Sequence, residues 1–374
     1  MTLLTARIDL NAIAHNTAVL KRHAGDARLA CVVKADAYNH GIDRCVPVMA
    51  ASGADAFGVA TFDEARAVRA VTDKPIIAWL WAPGEAIPEN IEIAVPTAEH
   101  LRSLVDAPVN PAQHHPQIIY LKVDTGMHRA GLMESEWDAV FAQAAEAQNA
   151  GKVHVAGVMS HLAFADNPAD PYTNDQADAF ARAIERARAA GLNPVRNHLA
   201  NSPATWSRPD LHFQQVRPGV SLYGLEPIEG EDHGLRPAMT WAATILAVKP
   251  VAADMPVSYG LTWRSPAAGM TAVVSAGYAD GIARSWQPNF EVTVRGVRYP
   301  IVGRVCMDQV VIWLGNNDHG VRVGDEAILF GEQGVSATEL AQAVGTINYE
   351  MVCSPKGRTR REYIELTASS EGQS

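Results

Sequence analysis

The feature that most limits what this chain can fold into is the regular alternation of β-branched runs and helical stretches between residues 29 and 217. Strands are predicted at Leu29–Val33, Phe57–Ala60, Ile76–Leu80, Ile91–Val95, Ile118–Val123, Val155–Ser160, Val195–Leu199 and Gln214–Val216. Helical stretches fall between them at Thr61–Val71, Ala98–Val105, Glu134–Ala147 and Asn174–Ala190, the last with Asn174 and Asp175 as its N-cap and first turn and Gly191 as its stop. Strands that alternate with helices pair in parallel. Eight such repeats in about 220 residues fit an α/β fold of the closed (β/α)8, TIM-barrel type. An open doubly wound sheet is the rival, but no G-x-G-x-x-G follows the first strand.

The texture changes near residue 236. Thr240–Val248, Met270–Ala276, Phe290–Val294, Val302–Leu314 and Ala327–Phe330 read as strands between Gly, Pro and Asn turns, with one helix at Ser336–Val344. The expected organisation is a barrel over 8–236 and a mostly β C-terminal domain over 237–374, with residues 1–7 open to joining the second. The polar end, Ala368–Ser374, reads as frayed.

Composition narrows the function. The 374-residue chain carries 41 acidic and 31 basic residues, a net charge of −10, and no basic stripe, so neither nucleic acid nor an anionic membrane is an expected partner. Met1–Leu4 is too short an apolar stretch for a signal peptide, and nothing later approaches the ~20 apolar residues of a membrane span. Cys31, Cys45, Cys306 and Cys353 have neither metal-type nor paired spacing. They read as unpaired thiols in a reducing cytoplasm, and no metal site is expected.

Barrel enzymes place reactive groups at the C-terminal ends of their strands. Strand one ends in Lys34, within "VVKADAYNHG". Strand five runs into "LKVDTGMHRAG", which supplies Lys122, Asp124 and Arg129. His161 follows strand six, and strand seven runs into His198, Asn201 and Ser202. Strand eight delivers Arg217 and Gly219. Singly, each has an ordinary structural explanation: a lysine closing a strand is usually solvated, a lone histidine is usually a satisfied core group, and Pro218-Gly219 is a turn. Together on one rim they point to chemistry.

These blocks resemble those of the alanine racemase family, in the same order. "VVKADAYNHG" is similar to its pyridoxal-phosphate lysine signature, with Asp36 and Asn39 standing where the family usually has Asn and Gly. "KVDTGMHRAG", "RPGVSLYG", "VSYGLTW" and "GRVCMDQ" resemble further blocks, so the likeness runs from about Arg7 to Tyr349. The segment after Tyr349, "CSPKGRTRREY", departs from the usual ending.

The resemblance implies a homodimeric isomerase that racemises a small amino acid, with pyridoxal 5'-phosphate as cofactor. It would supply or consume D-alanine, a precursor of peptidoglycan. Lys34 would hold the cofactor and act as base on one face of the substrate Cα. Tyr259, from the partner subunit, would be the acid–base group on the other. A tyrosine with its ordinary pKa of ~10 is a poor base at neutral pH, and His161 is implied in the shell that helps it. Tyr38, Asn201, Ser202, Tyr349 and the amides of Gly219 and Val220 would hold the cofactor, largely at its phosphate. Arg217, supported by His198, would donate to the pyridine nitrogen, because a guanidinium does not deprotonate in a protein. Arg129 and the Met307 backbone would take the substrate carboxylate, with Asp308 in support. Lys122 is implied as a carbamate that steadies Arg129; an ordinary surface lysine is the alternative.

A base for the opposite face must come within ~3 Å of the Cα proton. Short connections make it hard for one chain to fold its own β domain over its own barrel mouth, which favours shared sites in a C2 dimer. A decarboxylase on the same architecture would put a carboxylate, not Arg217, at the pyridine nitrogen. A non-catalytic cofactor carrier would lack the second domain, and a purely structural module leaves the rim unexplained. Alanine is the expected substrate because Tyr259 and Met307 crowd the side-chain space, but serine differs by one oxygen and stays open.

Overall fold

The computed structural model describes residues 2–107, 115–287 and 289–366; the expected frayed end, Ala368–Ser374, lies outside them. Seven parallel strands form one sheet, in spatial order Val153–Met159, Gln117–Lys122, Glu92–Val95, Ile76–Ala78, Ala56–Val59, Arg28–Val32 and Gln215–Val216. The predicted strand at Val195–Leu199 shrinks to a single parallel bridge between Met159 and His198. It still closes the barrel: His198 N donates to Val158 O on one side, while Gln214 N and Arg217 N donate to Asn197 O and Ala200 O on the other. Pro194 and the Asn197 side chain account for its shortness. Asn197 Oδ1 accepts the Val158 amide and its Nδ2 donates to Pro194 O, so side-chain bonds replace ladder bonds there.

The barrel interior is only partly apolar. Ile77, Ala94, Tyr120, Ala156 and Met159 pack around its axis. Beside them Glu92 accepts from both Tyr120 Oη and Arg196 Nη1, each at 2.8 Å. A buried charge is tolerable only when paired and hydrogen-bonded, and Glu92 is both.

Two predicted elements need correction, and one element is new. The helix expected from Asn174 begins earlier, Tyr172–Ala189, after Pro171. Asn174 does not cap it; its Oδ1 accepts from Arg208 Nη1 at 2.8 Å. The long strand expected at Val302–Leu314 is two, Val297–Val302 and Val310–Gly315. Gly303 breaks it with a φ of +67°, and a Cβ there would meet Ser258 Cβ at 2.5 Å. The loop so formed carries Met307. A long helix at Leu10–Ala24, capped by Asp9 through the Asn11 amide, precedes the first barrel strand and was not anticipated.

In the second domain, strand Met239–Val251 pairs along its length with Gly269–Val274 and Glu326–Phe330. Val310–Gly315, Val297–Val302 and Glu291–Val294 complete a closed antiparallel circuit. Leu4–Asp9 joins this sheet, antiparallel to Met239–Val251 and parallel to Arg360–Ile364. Both ends of the described chain are therefore stitched into the second domain.

Candidate active site

A cavity of about 420 Å³ opens at the C-terminal rim of the barrel. It is lined by Lys34, Tyr38, Lys122, Arg129, His161, Asn201, Ser202, Arg217, Gly219, Val220 and Tyr349, among others. Of the rim residues singled out in the sequence, all but two converge on this space: Asp124 faces a neighbouring pocket, and His198 lies behind Arg217.

Lys34 owes its place to an unusual piece of backbone. Ala35, Asp36, Ala37 and Tyr38 all have φ between +52° and +55°, and Asn39 has +67°, so the chain makes a left-handed turn straight after the lysine. Each non-glycine residue there costs ~1–2 kcal/mol, so surrounding contacts must hold the turn. Glu64 supplies one: its Oε1 accepts the Ala35 amide at 2.8 Å, while its Oε2 accepts the Ala60 amide and closes the capping box of helix Phe62–Arg69. The turn places Lys34 at one end and Tyr38 at the other. Burial, then the positive Arg129 and Arg217, lower the pKa of the Lys34 amine.

Arg217 is buried in the floor. Its Nη1 donates to His198 Nδ1 at 2.6 Å, and its Nη2 donates to Ser160 O at 2.7 Å and to His161 Nδ1 at 3.3 Å. A guanidinium only donates, so both imidazoles accept at Nδ1 and carry their hydrogen on Nε2. Burial, followed by Arg217's charge, drives the pKa of both histidines well below the ordinary value, so they are neutral. Arg217 itself falls to about 10 through burial and stays charged at neutral pH. Lys122 is pushed down to about 8 by burial and by Arg217 and Arg129.

The far end of the cavity suits a phosphate. Ser202 opens the short helix Ser202–Ser207, which Asn201 caps, and Ser202 Oγ accepts the Gly219 amide at 2.8 Å. A Cβ on Gly219 would lie 2.3 Å from Tyr38 Oη, so only glycine lets that hydroxyl come down over the backbone. A lysine with lowered pKa, a guanidinium in the floor and a hydroxyl-lined glycine turn match the aldehyde, ring nitrogen and phosphate of pyridoxal phosphate. The residues present fit that group. Among the described residues no cluster of His, Cys, Asp or Glu could hold a metal ion.

Tyr259 and Met307 do not line this cavity. They are 71% and 53% exposed, on neighbouring loops of the second domain. Ser258 Oγ donates to Arg304 O at 2.7 Å and joins those loops. Asp308 takes Arg358 Nη1 at 2.7 Å, and Arg358 also grips the buried Asp280. The second domain nevertheless reaches its own chain's barrel mouth, contrary to the expectation from short connections. Helix Asn348–Cys353 brings Tyr349, Glu350 and Cys353 into the wall, and Ile347 stands beside them. Glu350 and Cys353 were missed in the sequence, although a helix through Tyr349 puts residue 353 on the same face. Ser160, whose carbonyl holds Arg217, was missed because backbone acceptors leave no sequence signal.

The family model described as "Alanine racemase, N-terminal domain" matches residues 8–227, and "Alanine racemase, C-terminal domain" matches 238–363. An alanine racemase of Corynebacterium efficiens is 57% identical, covering 97% of this chain and 99% of that one. One of Mycobacterium tuberculosis is 42% identical over 97% of this chain and 96% of its own. The crystal structure of alanine racemase from Corynebacterium glutamicum superposes with a TM-score of 0.88 at 48% identity, covering 97% of this chain and all (100%) of that one. That of the enzyme from a D-cycloserine-producing Streptomyces lavendulae gives 0.92 at 36%, covering 98% of each.

Proposed function

The chain belongs to the alanine racemase family, and from that premise we propose that it interconverts L- and D-alanine with Lys34 and Tyr259 on opposite faces of the substrate Cα. The observation that carries this reading is the pairing in one cavity of a lysine of lowered pKa with a buried arginine whose partners are all neutral acceptors.

When bound, pyridoxal phosphate supplies an aldehyde that captures the amino acid and a ring that acidifies its Cα–H. Lys34 would hold it at the aldehyde. Tyr38, Ser202, Tyr349 and the backbone of Gly219 and Val220 would hold the phosphate, beside Asn201. Arg217 would face the ring nitrogen. Being cationic, it can donate to that nitrogen but cannot keep it protonated as a carboxylate would. This limits charge withdrawal and favours return of a proton to Cα, which separates a racemase from a decarboxylase of the same architecture.

Lys34 then takes or gives the Cα proton on its own face. Desolvation and the neighbouring cations leave more of its amine neutral near physiological pH, the form a base requires. Arg129 stands at the same mouth to take the substrate carboxylate. Tyr259 and Met307 are exposed and outside this chain's cavity, which supports a homodimer whose partner subunit presents them. His161, kept neutral, would offer such a tyrosine its Nε2–H rather than a charge.

No helix among the described residues is long and apolar enough to cross a membrane. The four cysteines are unpaired, which fits a reducing cytoplasm, where we place the enzyme.

Chiral chromatography of alanine incubated with the purified protein tests the proposal. Either enantiomer should move to an equal mixture, with serine slower. Alanine that kept its configuration, or that lost carbon dioxide, would sink it.

A further inference from the structure

Asp36 and Asn39, where the lysine block departs from the family signature, are both gripped by one residue of the departing C-terminal segment. Arg361 Nη1 lies 2.6 Å from Asp36 Oδ2, and its Nη2 donates to Asn39 Oδ1 at 3.2 Å. Asn39 Nδ2 donates onward to Val352 O and Pro355 O, at 3.2 and 2.8 Å, at the end of the helix that carries Tyr349. Asp36 spends its other oxygen on the Ile42 amide at 2.9 Å, where the next helix begins. The departures in the two segments are therefore one connected structure that ties strand Arg360–Ile364 to the left-handed turn.

We propose that Arg361 is a positioning residue for Lys34: it locks the turn of residues 35–39 through Asp36 and Asn39, and so fixes Lys34 and Tyr38 at the two ends of the cavity. The proposal rests on Lys34 being the cofactor-holding base. Five consecutive residues stand in the left-handed region, none of them glycine, so the turn relaxes toward ordinary backbone unless its neighbours over-determine it. The ion pair itself is half-exposed, with side chains 32% and 48% accessible, and a pair of that kind contributes little to global stability. Its effect is local. Arg361 holds two partners whose backbones are both strained, and a planar guanidinium can engage them together where an ammonium engages one.

The test uses the full-length holoenzyme. Arg361→Ala should lower kcat about fivefold, the scale of one such pair, with KM for alanine within about twofold, because Arg129 is not in the turn. Deuterium uptake should quicken in the peptide spanning residues 33–42, whose amides bond to Glu64, Val33 and Asp36, and stay unchanged in strand Val153–Met159. Asp36→Ala should act alike, and the double variant should be no slower than the worse single one. Arg361→Lys should recover part of the loss.

Unchanged kcat and uptake in Arg361→Ala, or additive losses in the double variant, would overturn the proposal. So would a rise in uptake across the whole barrel. Should Arg361→Ala fail to fold, Asp36→Asn, altered only at a half-exposed carboxylate, carries the same predictions. If the wild type bound its cofactor elsewhere than Lys34, the functional reading would fail, and local uptake at 33–42 would still decide whether Arg361 orders the turn.

Discussion

The guanidinium of Arg217 donates to Nδ1 of His198 across 2.6 Å in the floor of the cavity, and no carboxylate among the described residues bonds to it. His198 Nε2 is buried without a partner among the described residues, beside the edge-on ring of Tyr120 at 4.9 Å. The arginine's charge is thus left unneutralised and directed at the cavity. Arg217→Glu replaces a donor with a group that can keep a ring nitrogen protonated. Racemisation should slow, and new long-wavelength absorbance and transamination products should emerge in spectra and product assays. A variant with the parent rate and no side products would show that Arg217 does not meet the cofactor ring.

The purified protein should be yellow, absorbing near ~420 nm as cofactor-bound lysine does. Borohydride followed by peptide mapping should place the label on Lys34. A label on any other lysine would dismantle the assignment of the cavity.

Lys122, with its pKa near 8, offers more neutral amine than an ordinary lysine as pH rises from 7 to 9, and carbamate forms only on the neutral amine. Lys122→Ala should lose activity, about tenfold for a lost steadying partner of Arg129, and regain part of it with added acetate. Parent-like activity of the variant without any anion would exclude the carbamate.

Equal mixtures of Lys34→Ala and Tyr259→Ala should regain activity toward about a quarter of wild type after subunit exchange, because half the dimers are mixed and each holds one intact site of two. Exchange confirmed by tag pull-down with no activity regained would mean that both residues serve the same chain's site, or that Tyr259 is not the second base.

His40 tests the turn through pH. Burial lowers its pKa to about 4, while its Nδ1 donates to Tyr38 O at 2.8 Å. The unfolded chain takes up this proton below its ordinary value near ~6.5, whereas the folded chain does not until about pH 4. Stability attributable to His40 is therefore full above the unfolded value and falls by up to about 1.4 kcal/mol per pH unit across that window. Denaturant melts of His40→Asn should show a shallower acid slope than the parent. Parallel slopes would show that the acid sensitivity does not come from His40.

What the sequence by itself determined is the set of groups and the side of the barrel on which they stand. Strand period and chain order put Lys34, Lys122, His161, His198 and Arg217 at the same ends of parallel strands, and that arrangement is local enough to read from β-branched runs and their boundaries. The tertiary structure decided the rest. The left-handed turn after Lys34 has no glycine to announce it, since contacts from Glu64 and Arg361, distant in sequence, hold it there. The seventh strand nearly vanished because Asn197 side-chain bonds replaced its ladder. Whether Tyr259 meets its own barrel or leaves it, while Tyr349 comes in, depends on how the second domain docks. Docking sums many weak contacts between residues far apart in the chain, and no periodicity in one segment encodes that sum.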